Sequence, residues 1–370
     1  MKISWFQFEQ WFKKVLLSFV EKFFGSDEIP PDSVDLTTIK RILVIRQHDQ
    51  LGDFLLCTPV FRALRQKFPN AFIAALVRNY TYQVTENNKY LDQVILFHEY
   101  GGNFSWRWAK EFFKQLRSGW DLTIVLNTIS HSVTSDLLAR FSRSRYILGP
   151  DHLPFIGTYR NFFYNLLVPY DETLIVSQSQ KNMDIVRYLG IGSDDLSENM
   201  TLLPSELEDA RQFLLANGVK AGDLLVGIHP GAGKLENRWP VEKFCELAKE
   251  LNVRFHPKFV FSWGPDEEDL GQQLLQCTDL QVMTTEGMSL RQLAAVISHQ
   301  NLFFCNDTGV MHLAAAVNTP LVVVFGPTDP VRWKPVGEKF VAVRSASEKC
   351  ADVSVREVIN AGERLLSGKI

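Results

Sequence analysis

The chain has 370 residues, of which 46% are hydrophobic, enough to bury substantial cores and a length expected of two domains. Its net charge of -3 is spread over 39 Lys and Arg and 42 Asp and Glu without a basic stripe, which sets nucleic-acid binding aside. Five cysteines, Cys57, Cys245, Cys277, Cys305 and Cys350, are odd in number and stand at no metal-ligand or redox-motif spacing, so they read as small apolar residues of a reducing cytosol.

Residues 4–24 stand apart from the rest of the chain. Trp5, Phe8, Phe12, Leu16, Phe19 and Phe23 recur at helical spacing, with Lys13, Lys14, Glu21 and Lys22 among the polar positions. Such an amphipathic helix suits a membrane interface, or packing on the protein's own body or on a second copy. Pro30 and Pro31 then mark residues 25–33 as a linker. No run of about 18 apolar residues and no signal-peptide pattern is found, predicting a chain that neither spans a membrane nor is exported.

From Arg41 onward, short apolar β-branched runs alternate with amphipathic stretches, the pattern of an α/β fold. Strands are predicted at 42–45, 72–77, 93–97 and 122–126, with a helical stretch over 53–68. A second series opens with a strand at 224–228, a loop at 229–238 and a helix at 240–251 begun by a proline. Strands at 258–261, 302–305 and 321–325 come next, and a closing helix at 352–366. The expected architecture is two facing, doubly wound domains, the first over 39–190 and the second over 191–350. Residues 1–38 precede them and 351–370 close the chain. In such sheets ligands bind beyond the carboxyl ends of the strands, which directs attention to the post-strand loops.

The loop after the first predicted strand reads Gln47-His48-Asp49-Gln50-Leu51-Gly52-Asp53 and lacks the three-glycine dinucleotide fingerprint, which disfavours a dehydrogenase. Its carboxylate, Asp53, stands at a helix start, as a general base or as an ordinary N-cap. After the fifth predicted strand comes His229-Pro230-Gly231-Ala232-Gly233-Lys234, small residues that admit a phosphate and a lysine to meet its charge, or a simple turn. Its spacing is not that of a Walker A loop.

Asn306-Asp307-Thr308-Gly309 lies between a strand and the helical run 310–317, where unpaired amides and a partial positive charge suit a diphosphate. Asp307 beside a diphosphate must either cap that helix or accept hydrogen bonds from sugar hydroxyls. His312, one turn in, serves phosphate charge or is a satisfied core residue. Two Gly-Pro turns, at Trp263-Gly264-Pro265-Asp266-Glu267 and Phe325-Gly326-Pro327-Thr328-Asp329-Pro330, complete the second half. No Asp-x-Asp pair and no His-carboxylate cluster stands out as a divalent-metal site.

In order, these motifs resemble the lipopolysaccharide heptosyltransferase family, glycosyltransferase family 9, over residues 41–337. The resemblance rests on Arg41-Ile42-Leu43-Val44-Ile45-Arg46 leading to Leu51-Gly52-Asp53 and Thr58-Pro59, and on His229-Pro230-Gly231-Ala232-Gly233 with Arg238-Trp239-Pro240. It continues through Asp307-Thr308-Gly309 with His312-Leu313-Ala314-Ala315, and Phe325-Gly326-Pro327-Thr328-Asp329-Pro330. It implies a GT-B enzyme of two Rossmann-like domains, acceptor on the first and nucleotide sugar on the second, with inverting, metal-independent transfer. The implied donor is ADP-heptose, with no separate cofactor. The implied acceptor is a lipopolysaccharide core or related glycolipid at the cytoplasmic face of the inner membrane. Residues 4–24 lie outside the family's usual core, and their amphipathic composition would suit contact with that membrane.

By the same resemblance Asp53 is the base and Gly52 lies on the acceptor side. Asp307 matches the residue that holds sugar hydroxyls, the Thr308 and Gly309 amides match the phosphate cradle, and Glu267 and Met288 match nucleoside contacts, with core packing as the other reading of Met288. Gly231, Ala232, Lys234 and His312 are donor residues by the chemistry of their own loop and helix start, Lys234 not being aligned with the family's lysine. One departure stands out: Asn237 occupies the position where the family commonly has lysine. Another nucleotide sugar, or a catalytically silent nucleotide-sugar-binding or membrane scaffold protein, are the alternatives.

Overall fold

The computed structural model describes residues 21–23, 25–47, 50–98, 105–153, 158, 160–171 and 173–368. The amphipathic stretch expected over residues 4–24 lies outside them, save residues 21–23, which are helical. Among the described residues no helix is long and apolar enough to cross a membrane.

Two six-stranded parallel sheets form the body. The first contains β1 (Arg41–Arg46), β2 (Phe72–Arg78), β3 (Gln93–Phe97), β4 (Leu122–Val125), β5 (Tyr146–Pro150) and β6 (Leu166–Val168), in the order β3-β2-β1-β4-β5-β6. The second contains β7 (Leu225–His229), β8 (Lys258–Phe261), β9 (Val282–Thr284), β10 (Leu302–Asn306), β11 (Leu321–Phe325) and β12 (Phe340–Arg344), in the order β12-β11-β10-β7-β8-β9. Counted from its own first strand, each sheet has the doubly wound order 3-2-1-4-5-6. Helices cover both faces, which is why the central strands read as unbroken apolar runs: every residue of β7, β10 and β11 is buried. The strand order reverses between β1 and β4, where Val44 pairs with Ile124, and between β7 and β10, where Ile228 pairs with Phe304.

Three local expectations change. The helical stretch over 53–68 is two helices, Leu51–Leu55 and Thr58–Lys67. Pro59, in the first turn of the second helix, cannot donate its missing amide to a continuous ladder. The segment at 25–33 is docked rather than free: the Ser26 and Ile29 amides donate to the Phe162 and Asn165 carbonyls, 2.8 and 2.7 Å away. Arg160 and Arg140 donate to its Ser26 and Gly25 carbonyls. The cysteines are not all isolated, because Cys245 and Cys277 are paired with their Cα atoms 6.0 Å apart, while Cys57, Cys305 and Cys350 are buried thiols.

The closing helix, Val355–Leu366, is capped by Ser354, whose hydroxyl accepts from the Glu357 amide. It sinks Val355, Val358, Ile359 and Ala361 into the core of the second sheet. Between the sheets one apolar cluster is continuous, with Leu51, Phe54 and Leu55 of the first half packed into the same core as Met311, Leu313 and Ala314 of the second.

Candidate active site at the junction of the two sheets

Two helix starts meet where the sheets face each other. The helix Leu51–Leu55, after β1, packs against the helix Gly309–Ala316, after β10. The approach is close enough that a Cβ on Gly309 would stand 3.3 Å from the Leu51 Cβ and 3.6 Å from the Gly52 amide nitrogen. A Cβ on Gly52 would meet the His312 ring at 2.5 Å, so glycine is required there by space rather than by backbone angle. Both helix starts lie at the reversal points of their sheets, where a ligand crevice is expected.

Asp53 is half-buried at the third position of its helix, and the Gln50 amide donates to its Oδ2 over 3.4 Å. Arg46, nearly fully buried, donates to the Asp53 carbonyl at 3.2 Å and holds this turn against the end of β1. On the other side, Thr308 is the N-cap of Gly309–Ala316 and no side chain caps that helix. Of the two roles open to Asp307, capping is therefore ruled out. Its Oδ2 instead accepts from Asn237 Nδ2 at 3.1 Å and from the Thr328 hydroxyl. The uncapped first amides of the helix stay available to an anion, with the partial positive charge of the helix end behind them.

His312 is buried, and its Nδ1 lies 2.8 Å from Oε1 of the fully buried Glu198. Burial opposes a charged ring, but the Glu198 charge and hydrogen bond, followed by Asp307 and Asp53, outweigh it and push the imidazole above its ordinary value. Burial likewise raises the Glu198 carboxyl, against the pull of His312. We place the proton of this contact on the ring, because the negative charges of Asp307 and Asp53 add to that of Glu198 in favouring the imidazolium.

The loop after β7 is held from three sides. Asn306, fully buried, donates to the Pro230 carbonyl at 2.7 Å and accepts from the Trp239 amide at 3.0 Å. Arg238 donates to the Ala232 carbonyl at 2.8 Å. Glu267 accepts from the Gly264 amide at 2.9 Å, lies 3.4 Å from Arg238 and fills the space a Cβ on Gly231 would need. The Glu267 carboxylate thus shapes the loop from beneath. Burial holds His229 down at about 4, Glu267 notwithstanding, so its ring is neutral. Lys234 is exposed, and Met288 is half-buried against the apolar cluster that contains Ala210, Leu214, Leu225, Val260 and Met283.

Sequence reasoning assigned no role to Glu198, Asn306 or Thr328. The last two stand inside the Asn306–Gly309 and Phe325–Pro330 motifs, whereas Glu198 has no local signal at all. Among the described residues, no three His, Cys, Asp or Glu side chains cluster as a metal ligand set. Chemically, the junction offers a carboxylate beside one helix start, anion-binding amides at the other, and a buried imidazole between them.

The model of the family described as glycosyltransferase family 9 (heptosyltransferase) matches residues 109–361. The chain is similar to lipopolysaccharide heptosyltransferase 3 of Escherichia coli, with 28% identity over 78% of this chain and 85% of that protein. Among solved structures it is similar to the glycosyl transferase family 9 protein of Veillonella parvula DSM 2008. That likeness has a TM-score of 0.78 at 22% identity and covers 93% of this chain and 100% of the other. It is also similar to the E. coli heptosyltransferase WaaC with ADP-2-deoxy-2-fluoro heptose, with a TM-score of 0.66 at 21% identity, over 89% and 100% of the two chains.

Proposed function

Because the chain belongs to glycosyltransferase family 9 (heptosyltransferase), and is thereby a glycosyltransferase, we propose that it moves heptose from ADP-heptose to a lipopolysaccharide core or related surface-glycan acceptor. The observation that carries this reading is the meeting of the Asp53 turn with the uncapped start of Gly309–Ala316 across the Gly52–His312 contact. The relative solved with an ADP-heptose analogue supports the choice of donor.

In the proposed reaction, Asp53 takes the proton of an acceptor hydroxyl as its oxygen attacks the anomeric carbon. The bond from that carbon to the diphosphate oxygen breaks with inversion, and ADP leaves with the electron pair. The Thr308 and Gly309 amides, Lys234 and the positive His312 stabilise the charge on the departing diphosphate, the kind of contribution that usually dominates such catalysis. Asp307, held on one oxygen by Asn237 and Thr328, receives sugar hydroxyls, and no divalent metal is needed. The Gly231-Ala232 turn admits the phosphates. Met288 contacts the nucleoside, and Glu267 acts on it through the loop. The enzyme works at the cytoplasmic face of the inner membrane, with residues 4–24 as its contact.

Calorimetric titration with ADP-heptose, against UDP- and GDP-sugars and without added metal, tests the donor. Selective binding of ADP-heptose is expected. Binding of another nucleotide sugar instead would keep the fold and discard the heptose, and binding of none would favour the silent scaffold. Asp53→Ala is expected to lower transfer by about a hundredfold or more while leaving donor affinity nearly intact. Equal loss of both in a folded variant removes the base assignment.

A further inference from the structure

Beyond the donor side, the carboxyl ends of β4, β5 and β6 gather polar and aromatic groups that the proposed transfer does not use. Asn127, two residues past the end of β4, is 3% exposed, and neither its Nδ2 nor its Oδ1 has a hydrogen-bond partner. A buried amide with both ends unpaired is costly, and a native protein keeps one where something else completes it. Beside it, His152 Nε2 donates to the Asn127 carbonyl at 2.9 Å, and the His152 ring lies 4.0 Å from that of Tyr170. Tyr170 in turn donates to the Thr128 carbonyl at 2.9 Å.

His131 completes the group, its ring 6.5 Å from that of His152. Its Nε2 is held by the fully buried Asp136, whose other oxygen accepts from Tyr164 and from Asn161. Burial, then Asp136, pushes the Tyr164 phenol well up, so it remains a donor. This fixes His131 and leaves Nδ1 as its remaining polar atom. Gln47, at the end of β1, donates to Ser132 and Ser135 and ties the same loop to the strand that leads to Asp53.

We propose that Asn127, His131 and the His152–Tyr170 ring pair form a saccharide subsite that holds a pyranose of the acceptor. An amide that both donates and accepts matches vicinal hydroxyls, a ring nitrogen adds a further polar contact, and paired rings offer a face for the apolar side of a sugar. The position, at the reversal point of the first sheet and next to the strand that feeds the Asp53 turn, places the pyranose on the acceptor side. The proposal rests on reading the junction as a glycosyl-transfer site.

Saturation-transfer NMR with methyl α-D-mannopyranoside and methyl α-D-glucopyranoside, in the presence of excess ADP, tests it on the full chain. Wild type is expected to show transfer to the ring protons that ADP does not displace. Asn127→Leu is expected to abolish it while leaving ADP affinity unchanged and the melting temperature equal to or above wild type, since an unsatisfied amide is removed. Asn127→Asp, nearly isosteric but without the donor, is expected to weaken binding by about tenfold. Absence of transfer in wild type, or transfer that both variants retain, overturns the subsite. Loss of ADP binding with pyranoside binding intact would instead count against the donor reading alone.

Discussion

His312 and Glu198, 114 residues apart in sequence, form a buried ion pair with Nδ1 and Oε1 2.8 Å apart where the two sheets meet. Glu198 belongs to the segment that connects the halves, and its neighbours anchor it to both. The Asn199 amide donates to the Thr58 hydroxyl of the first half at 2.9 Å, and the Met200 amide donates to the Ala316 carbonyl of the second at 3.0 Å.

The sign of the His312 shift sets how stability depends on pH. A raised pKa means that the folded state holds its proton more tightly than the unfolded chain, so the stabilisation is present in full below the unfolded value of 6.5 and is lost as pH rises through the folded value. Glu198, also raised, acts in the same direction at lower pH. Wild type should therefore lose melting temperature as pH rises above 6.5, the ordinary imidazole value, and Glu198→Gln should flatten that loss. Glu198→Ala, which strands a buried imidazolium, should cost about 3 kcal/mol or more in denaturant unfolding. Parallel pH curves for wild type and Glu198→Gln would show that Glu198 does not set the His312 proton.

Gly52→Ala tests the spacing of the two helix starts. The new methyl would stand 2.5 Å from His312 Cδ2 and 3.2 Å from Nε2, and the Glu198 contact prevents the ring from turning away. Overpacking of this kind costs about 1 to 3 kcal/mol. Because the Asp53 turn must move, transfer should fall by about a hundredfold. In a double-mutant cycle with His312→Ala, much of the stability loss should disappear; additive losses would place the strain elsewhere.

The strands were legible in the sequence because both faces of each central strand are covered, leaving unbroken apolar runs such as Leu321-Val322-Val323-Val324-Phe325. The 93–97, 258–261 and 321–325 expectations coincide with β3, β8 and β11. The candidate loops stand out in the sequence as motifs, but which of them cap helices does not, since Thr308 rather than Asp307 takes the cap position of Gly309–Ala316. What binds the halves together was not legible. Glu198 to His312, Arg62 to the Asp195 carbonyl and Arg291 to the Glu86 carbonyl span 114, 133 and 205 residues, and no local periodicity encodes a partner at such distances.

Asn237 invites a test of donor recognition. Its Nδ2 must be the group on Asp307, since a carboxylate only accepts, and its Oδ1 is buried without a partner. Asn237→Asp would set a second carboxylate against Asp307 and is expected to weaken ADP-heptose binding by about tenfold or more at neutral pH. Asn237→Lys keeps a donor on Asp307 and adds positive charge to the site. Its affinity for ADP is expected to equal or exceed wild type in the same titration. Unchanged binding in Asn237→Asp would place this pair outside the donor site.

Arg291 carries the last prediction. It stands in the helix Leu290–Ser298 of the second half, yet it donates to the Gln83 and Glu86 carbonyls of the first, at 2.7 and 3.1 Å. The rest of the guanidinium engages Glu206 and the Thr201 carbonyl, the latter at 2.8 Å, in the segment just past the crossing. Its side chain is 8% exposed, so these contacts are made largely out of water. A planar fork with five donors meets all four partners at once, whereas an ammonium group has one position and three donors. Arg291→Lys should therefore fail to restore the network, and Arg291→Ala should cost about 3 kcal/mol, leaving Glu206 without its cationic partner and with only the Leu203 amide. If the halves are held in register through this residue, both variants should lower transfer more than they lower ADP affinity, because the proposed donor site is on one half and Asp53 on the other. Equal loss of the two would make Arg291 a local support of the second half alone.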